Sequence, residues 1–171
     1  MSVTDAHASV EALFQQHHPA LCRYLARFTG DGDLAADLAQ EAFVRFLEHA
    51  PPADAAGPWL FRVATNLAKD VARSRTRRRL LVMGGRAMMS HSDPPPAPDQ
   101  GISRTTARRL VEQAFGALSD KERMALLMRE EGFAHREIAD ALGTTTGSVG
   151  TLMARALRKA ATRLRDAQEE A

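Results

Sequence analysis

The sequence predicts an all-α protein made of two small helical domains joined by a flexible, proline-rich linker. Along most of the 171 residues, apolar side chains recur at intervals of three and four, which is the spacing of one face of a helix. No stretch alternates convincingly between apolar and polar residues, as a half-buried strand would. Residues 84–103, GGRAMMSHSDPPPAPDQGIS, contain four prolines, which remove backbone donors and favour an extended chain. We therefore predict domains at 1–83 and 104–171, with a linker at 84–103.

The N-terminal domain is predicted to contain three or four helices. A first apolar stripe runs from Val10 to Phe28 and is broken by TGDGD at 29–33. The second helix starts around Asp33, and its broad apolar face is formed by Leu34, Leu38, Ala42, Phe43, Phe46 and Leu47. After the break APPADAAGP, a third helix carries Leu60, Val63, Ala64, Leu67 and Val71 on one side.

The C-terminal domain is also predicted to be helical. One helix ends near Leu118, and the SDKE sequence at 119–122 has the capping-box pattern that opens the next helix, which ends at Gly132. A short helix follows and turns at Gly143. The final long helix is expected to pack on the preceding helices through Val149, Leu152, Met153, Ala156, Leu157, Ala160 and Leu164.

The last two helices have the pattern of a helix-turn-helix. The polar face of the final helix has short hydroxyl side chains near its start and cations further along: Ser148, Thr151, Arg155, Arg158, Lys159 and Arg163. Short side chains let a helix approach base edges in the major groove, while longer cations reach phosphates. The alternative is a plain helical hairpin whose basic side faces water.

The third helix of the N-terminal domain carries a basic stripe, which offers phosphate contacts and ends in a dense arginine cluster at 73–79. Its members are spaced by three or four residues: Arg62, Asn66, Lys69, Arg73 and Arg77. Trp59 and Phe61 lie nearby and could stack on an unpaired base, although a core position is favoured for Trp59.

The second helix has the opposite character. Its polar face is predominantly acidic, with Asp33, Asp37, Gln40, Glu41 and Glu48 at helical spacing. Because an acidic face repels DNA, it is either a protein-docking surface or an ordinary solvated side of the helix.

Taken together, three blocks resemble the extracytoplasmic-function (ECF) sigma factors of bacterial RNA polymerase. The blocks are DLAADLAQEAFVRFLEH (33–49), PWLFRVATNLAKD (58–70) and LSDKERMALLMREEGFAHREIADALGTTTGSVGTLMARAL (118–157). Their order matches the family, with a variable linker between a region 2-like bundle and a region 4-like helix-turn-helix. The resemblance implies a subunit that binds core polymerase, recognises promoter elements and supports promoter melting.

The resemblance also assigns expected roles to residues. Core polymerase would be bound by Asp33, Asp37, Gln40 and Glu41. The minus-ten element, including a base flipped from the melted non-template strand, would be bound by Trp59, Phe61, Arg62, Asn66, Lys69, Arg73 and Arg77. The minus-thirty-five duplex would be read by Thr146, Ser148, Thr151, Arg155, Arg158 and Lys159. In the family's usual recognition helix, basic residues stand where this chain has Gly150 and Leu152, so its contact set is thinner.

The remaining expectations are largely negative. No cofactor, metal or enzymatic activity is expected; His18 and Cys22 stand four apart, but core packing of the cysteine is the default interpretation. A single cysteine and the lack of a long apolar run favour a cytoplasmic protein. An anti-sigma factor is expected as a further partner from the family. Two alternatives stay open: a stand-alone DNA-binding regulator, and a recombinase that would use Tyr24.

Overall fold

A computed structural model describes residues 3–49, 51–82 and 102–169 of the chain. Within these ranges it contains seven α-helices, one short 3-10 turn and no strand, which confirms the all-α prediction. The chain divides into two compact units, Met1–Pro94 and Pro95–Ala171. The predicted linker at 84–103 lies outside the described residues, apart from Ile102 and Ser103, which already belong to a helix.

The N-terminal unit is a bundle of three helices: α1 (Val3–Thr29), α2 (Gly32–His49) and α3 (Ala56–Val82). Each of the three packs against the other two. The predicted break at 29–33 is a tight turn, in which Gly30 has a φ of 76° and Asp31 Oδ1 accepts a bond from Leu34 N–H at 3.0 Å. The 3-10 turn Ala53–Ala55 leads into α3.

Aromatic side chains from α1 and α3 form the centre of this bundle. Tyr24 and Phe61 are fully buried, and their ring centroids lie 4.8 Å apart. Thr65 Oγ1 donates to Phe61 O at 2.6 Å, so Tyr24 Oη donates to Thr65 Oγ1, also at 2.6 Å. These two bonds pair the hydroxyl groups of Tyr24 and Thr65 in the core.

The C-terminal unit contains α4 (Ile102–Gly116), α5 (Asp120–Glu130), α6 (His135–Leu142) and α7 (Thr146–Glu169). The long α7 contacts each of the other three helices. The predicted capping box is present: Glu122 N–H donates to Ser119 Oγ, and Ser119 N–H donates to Glu122 Oε2 at 2.9 Å. Gly143 has a φ of 63° and ends α6, as the sequence predicts for this turn.

Phe14, in the apolar stripe predicted for α1, is 41% exposed, and two further predicted core positions are also wrong. Leu47 on α2 is 56% exposed, and Leu157 on α7 is 57% exposed. Each residue of an α-helix is turned by about 100° from the one before it. Leu47 comes directly after the buried Phe46, and Leu157 directly after the buried Ala156. Because of this rotation, neither leucine points to the side of its helix that is buried. The true core contribution of α7 is centred on Val149 and Ala156, both fully buried.

Candidate protein and nucleic-acid interfaces

The outer face of α2 brings together the predicted docking residues. Asp33, Asp37, Gln40 and Glu41 are all exposed, while Ala35, Leu38 and Ala42 on the opposite side are buried. Among the described residues, neither Asp33 nor Asp37 forms an ion pair. Glu41 is different, because its Oε1 accepts a bond from Arg45 Nε at 2.8 Å.

Two aliphatic side chains lie within this acidic face, a feature that the sequence pattern did not reveal. Val44 is 44% exposed and Leu47 is 56% exposed. By helical rotation they flank the acidic positions rather than the core. The α2 face is therefore amphipathic, with acidic groups around exposed Val44 and Leu47.

The basic stripe of α3 is also exposed. Arg62, Asn66, Arg73 and Arg77 lie at the surface and Lys69 is half-buried. Arg73 Nη1 lies 3.4 Å from Asp70 Oδ1 in an exposed pair, which offsets little of its charge. Another arginine of the cluster, Arg75, lies 3.8 Å from Asp31 Oδ2 and so bridges α3 to the turn before α2.

Trp59 and Phe61 do not share a face of α3. Trp59 is half-buried and makes a T-shaped contact with Phe46 at a centroid distance of 5.9 Å, and it lies on the side of α3 that carries the basic stripe. Phe61 has 0% exposed surface. The expectation that Phe61 stacks on a base is therefore corrected: it immediately precedes Arg62, but the rotation between neighbours turns its ring into the core.

The polar face of α7 is exposed along its length at the predicted positions Thr146, Ser148, Thr151, Arg155, Arg158 and Lys159. Thr145, which is not among the predicted residues, lies just before the helix. Its Oγ1 accepts a bond from Ser148 N–H at 3.3 Å and lies 2.8 Å from Ser148 Oγ. Thr145 therefore caps α7 and holds the Ser148 hydroxyl in place.

An open groove of about 470 Å³ runs beside the first turns of α7. Its lining includes Ser148, Thr151 and Arg155 from α7, and Lys121 from the start of α5. Lys121 is exposed and adds a cation beside the hydroxyl side chains. No sequence pattern indicates this residue, because its proximity to α7 depends on how α5 packs.

Two cations of α7 meet a buried carboxylate on α5. Glu122 is only 1% exposed, and its Oε1 lies 3.2 Å from Arg155 Nε and 2.9 Å from Lys159 Nζ. Burial alone would raise the pKa of Glu122, but hydrogen bonds from Lys159 and Ser119, together with the charge of Lys159, lower that pKa to about 2. Glu122 is thus ionised at neutral pH and pairs with two of the predicted DNA-contacting side chains.

Other candidate sites do not assemble. His18 lies 3.6 Å from Cys22 Sγ, but no group of three or more potential metal ligands occurs in the part of the chain that the structure describes. Burial raises the pKa of the Cys22 thiol, which opposes thiolate chemistry. Tyr24 is fully buried, so it has no access to a DNA backbone as a recombinase nucleophile. None of the described helices is long and apolar enough to cross a membrane.

Comparisons with known proteins agree with the two-unit architecture. Residues 13–78 match the model for sigma-70 region 2, and residues 101–159 match the model for sigma-70 region 4. The ECF RNA polymerase sigma factor SigL of Mycobacterium tuberculosis is 32% identical over 157 residues, covering 88% of this chain and 86% of the relative. The RNA polymerase sigma factor YlaC of Bacillus subtilis is 27% identical, and the match covers 92% of this chain and 95% of YlaC.

A solved structure shows the same fold at lower sequence similarity. The sigma factor RpoE from Bartonella quintana, crystallised with the anti-sigma factor NepR, is 19% identical with a TM-score of 0.61. The match covers 95% of this chain and 98% of that one. Both sigma regions and the similarity to SigL lead to the same conclusion: the chain belongs to the ECF sigma factors of bacterial RNA polymerase.

Proposed function

We propose that the two units divide the work of promoter recognition between an acidic polymerase-docking face and two separate DNA-contacting faces. The observation that supports this division most strongly is the charge of the N-terminal unit. Its α2 face is acidic and exposed, and its α3 face is basic and exposed. The acidic surface repels DNA and the basic surface attracts it. This combination suits a subunit that binds a protein partner through one face and a polyanion through the other.

The docking face in this proposal consists of Asp33, Asp37, Gln40 and Glu41, with Val44 and Leu47 added because they are exposed among them. The aliphatic groups would supply buried apolar area in the complex, and the carboxylates would steer the encounter with a basic partner surface. The partner is bacterial core RNA polymerase.

The minus-ten face consists of Trp59, Arg62, Asn66, Lys69, Arg73 and Arg77. The cations would contact phosphates of the melted non-template strand, and the Asn66 amide would contact a base edge. Trp59 lies on the same side and is half-buried. Unstacking a base costs a few kcal/mol, which contacts of this kind would offset. Phe61 has no part in the proposed face.

The minus-thirty-five face consists of Thr146, Ser148, Thr151, Arg155, Arg158 and Lys159 on α7, with Lys121 beside them. The helix-turn-helix of α6 and α7 would place the first turns of α7 in the major groove of duplex DNA. Transcription chemistry itself belongs to the polymerase, and the chain is proposed to act with it in the cytoplasm. An anti-sigma factor is included as a further partner, one that would inhibit by covering these faces.

The experiment that tests the docking face is size-exclusion chromatography of the chain with bacterial core RNA polymerase. The variant carrying Asp37→Arg and Glu41→Arg is expected to lose co-elution. The reason is that it places like charges against a basic partner, which at an interface costs several kcal/mol. The matched control carries Glu11→Arg and Asp166→Arg, which reverse two exposed carboxylates outside α2 and should co-elute normally.

Full-strength co-elution of the α2 variant would show that the docking face is wrong. If the unaltered chain also failed to co-elute but bound duplex DNA by itself, a stand-alone regulator would be the better account. Far-ultraviolet circular dichroism of both variants checks that the helices are retained.

A further inference from the structure

The contact between Glu122 and α7 joins residues 33 and 37 positions apart in the chain. The carboxylate is held on its other side as well. Ser119 N–H and Ser119 Oγ each donate to Glu122 Oε2 at 2.9 Å, as part of the cap of α5. Because these bonds fix the carboxylate and it is 1% exposed, it is the stationary partner, and the side chains of Arg155 and Lys159 are positioned against it.

The bond to Arg155 uses the Nε–H group, which leaves the two terminal amino groups of the guanidinium available. Arg155 is still 58% exposed. A guanidinium is planar, so fixing Nε–H also restricts the plane in which the terminal N–H groups lie. Bidentate bonding to a base edge requires two donors in a fixed plane, and it provides base discrimination that a single phosphate contact does not provide. An arginine ordered before binding also loses less side-chain entropy on binding.

The bond to Lys159 has a different consequence. The Lys159 side chain is 46% exposed, and its ammonium lies 2.9 Å from the buried carboxylate. Such a point charge contacts phosphates without regard to sequence. While Lys159 bonds Glu122, part of that sequence-independent attraction is withheld from DNA.

We propose that Glu122 is a positioning residue for minus-thirty-five recognition, which orients Arg155 for base contact and restrains Lys159 from phosphate contact. The proposal rests on the proposed function, because it takes α7 as the helix that reads the duplex. Glu122 itself touches no DNA in this account and acts through the two cations. Its loss would lower discrimination between sequences and raise binding to arbitrary DNA.

The test uses holoenzyme assembled from the full chain and core polymerase, with a duplex library randomised across the minus-thirty-five window. The readout is base preference by position, obtained by sequencing the bound fraction. Glu122→Gln is expected to flatten preference at the same positions as Arg155→Ala. The double variant should show no further loss, because the glutamate acts through the arginine.

A second readout is the salt dependence of binding to one fixed duplex that lacks the preferred sequence. For Glu122→Gln, the slope of log affinity against log salt should become steeper by about one to two, as the two released cations reach phosphates. The matched control is Glu137→Gln. Glu137 also accepts from the backbone at a helix start, Ala134 N–H at 2.7 Å, and forms no ion pair with a described residue. The Glu137→Gln variant should leave both the base preferences and the salt slope close to those of the unaltered chain.

The outcomes separate the two claims. Unchanged preferences in Glu122→Gln, with flattened preferences in Arg155→Ala, would overturn the positioning role and leave the proposed function intact. Additive losses in the double variant would mark a general structural effect and also overturn it. Unchanged preferences in Arg155→Ala would remove that residue from the proposed recognition face, and the positioning role with it.

A measurement on the unaltered chain keeps the proposal testable should Glu122→Gln fail to fold. In ¹⁵N NMR spectra, the Nε–H signal of Arg155, assigned by its loss in Arg155→Lys, should exchange with water at least several-fold more slowly than that of the exposed Arg163. Equal exchange rates would show that Glu122 does not order the guanidinium.

Discussion

Replacement of Glu122 by glutamine is expected to destabilise the C-terminal unit at neutral pH and much less at pH 2. The change is nearly isosteric, and a glutamine at this position of the helix can still complete the capping box with Ser119. It removes the negative charge that faces Arg155 and Lys159, and it replaces one of the two acceptor oxygens by a donor group, as protonation of the carboxylate also does. The difference between the two proteins therefore measures the stabilisation that depends on ionised Glu122.

The magnitude follows from the pKa of Glu122, which is lowered from 4.5 to about 2 in the folded protein. A tenfold change in an acid dissociation constant corresponds to about 1.36 kcal/mol, so lowering the pKa this far is worth about 3 kcal/mol. Both cationic partners are about half exposed, and solvent screening reduces the expected difference to about 2 kcal/mol. Because the folded pKa is the lower one, this stabilisation is present above pH 4.5 and is lost as the pH falls towards 2.

The assay is backbone hydrogen exchange read by mass spectrometry on peptides from α5 and α7, compared between the two proteins at each pH. Comparison at equal pH cancels the intrinsic pH dependence of exchange, and the peptides report on the C-terminal unit alone. Glu137→Gln, which keeps a capping side chain at the start of α6, serves as the control and should show a smaller gap. A gap for Glu122→Gln that stays constant from pH 7 to pH 2 would refute the electrostatic reasoning.

Two further predictions concern single residues. Phe61→Ala should destabilise the N-terminal unit by about 3–5 kcal/mol through a core cavity, whereas Phe61→Leu should retain most of the stability and normal promoter opening. Thermal melts and a promoter-opening assay check this. A stable Phe61→Leu protein that cannot open promoters would return the ring to the DNA face. Gly150→Lys should stabilise α7 by about 0.5–1 kcal/mol, since an added Cβ meets nothing within 4 Å, and it should steepen the slope of log affinity for duplex DNA against log salt by about 0.9. The control in thermal melts and fluorescence anisotropy is Gly150→Ala, which should share the stability gain without the steeper salt dependence. An unchanged slope in Gly150→Lys would place position 150 away from the phosphates.

The features that the sequence predicts well are local. Helical spacing identified the helices, and the four residues from Ser119 to Glu122 predicted a capping box that is present in the structure. Gly143 predicted the turn between α6 and α7 because few other residues adopt its positive φ. In each case the determining interactions join residues within a few positions of one another, so the sequence pattern contains them directly.

The features that the sequence predicts poorly depend on how the helices pack against one another. Leu47 and Leu157 satisfy helical spacing, but whether such a residue is buried depends on how far the neighbouring helix extends over that side. Phe61 shows the converse, because adjacency to Arg62 in the sequence suggested a shared surface that helical rotation does not allow. The ion pairs of Glu122 belong to the same class, since no local pattern indicates which cations α7 brings to α5.

The pairing of Glu122 bears on how a recognition helix with a thin contact set can still select a promoter. Gly150 and Leu152 provide no charge, and Arg155 and Lys159 share the buried carboxylate, so the pairing lowers the sequence-independent attraction of α7 to DNA, to which Arg158 and Arg163 still contribute. Weak attraction to arbitrary DNA widens the ratio between correct and incorrect sites, provided that another surface supplies affinity. In a sigma factor the N-terminal unit and the polymerase can supply it, because all three bind one promoter together and raise each other's effective concentration. A thin contact set on α7 is therefore compatible with selective recognition by the holoenzyme, even where the C-terminal unit alone would bind duplex DNA weakly.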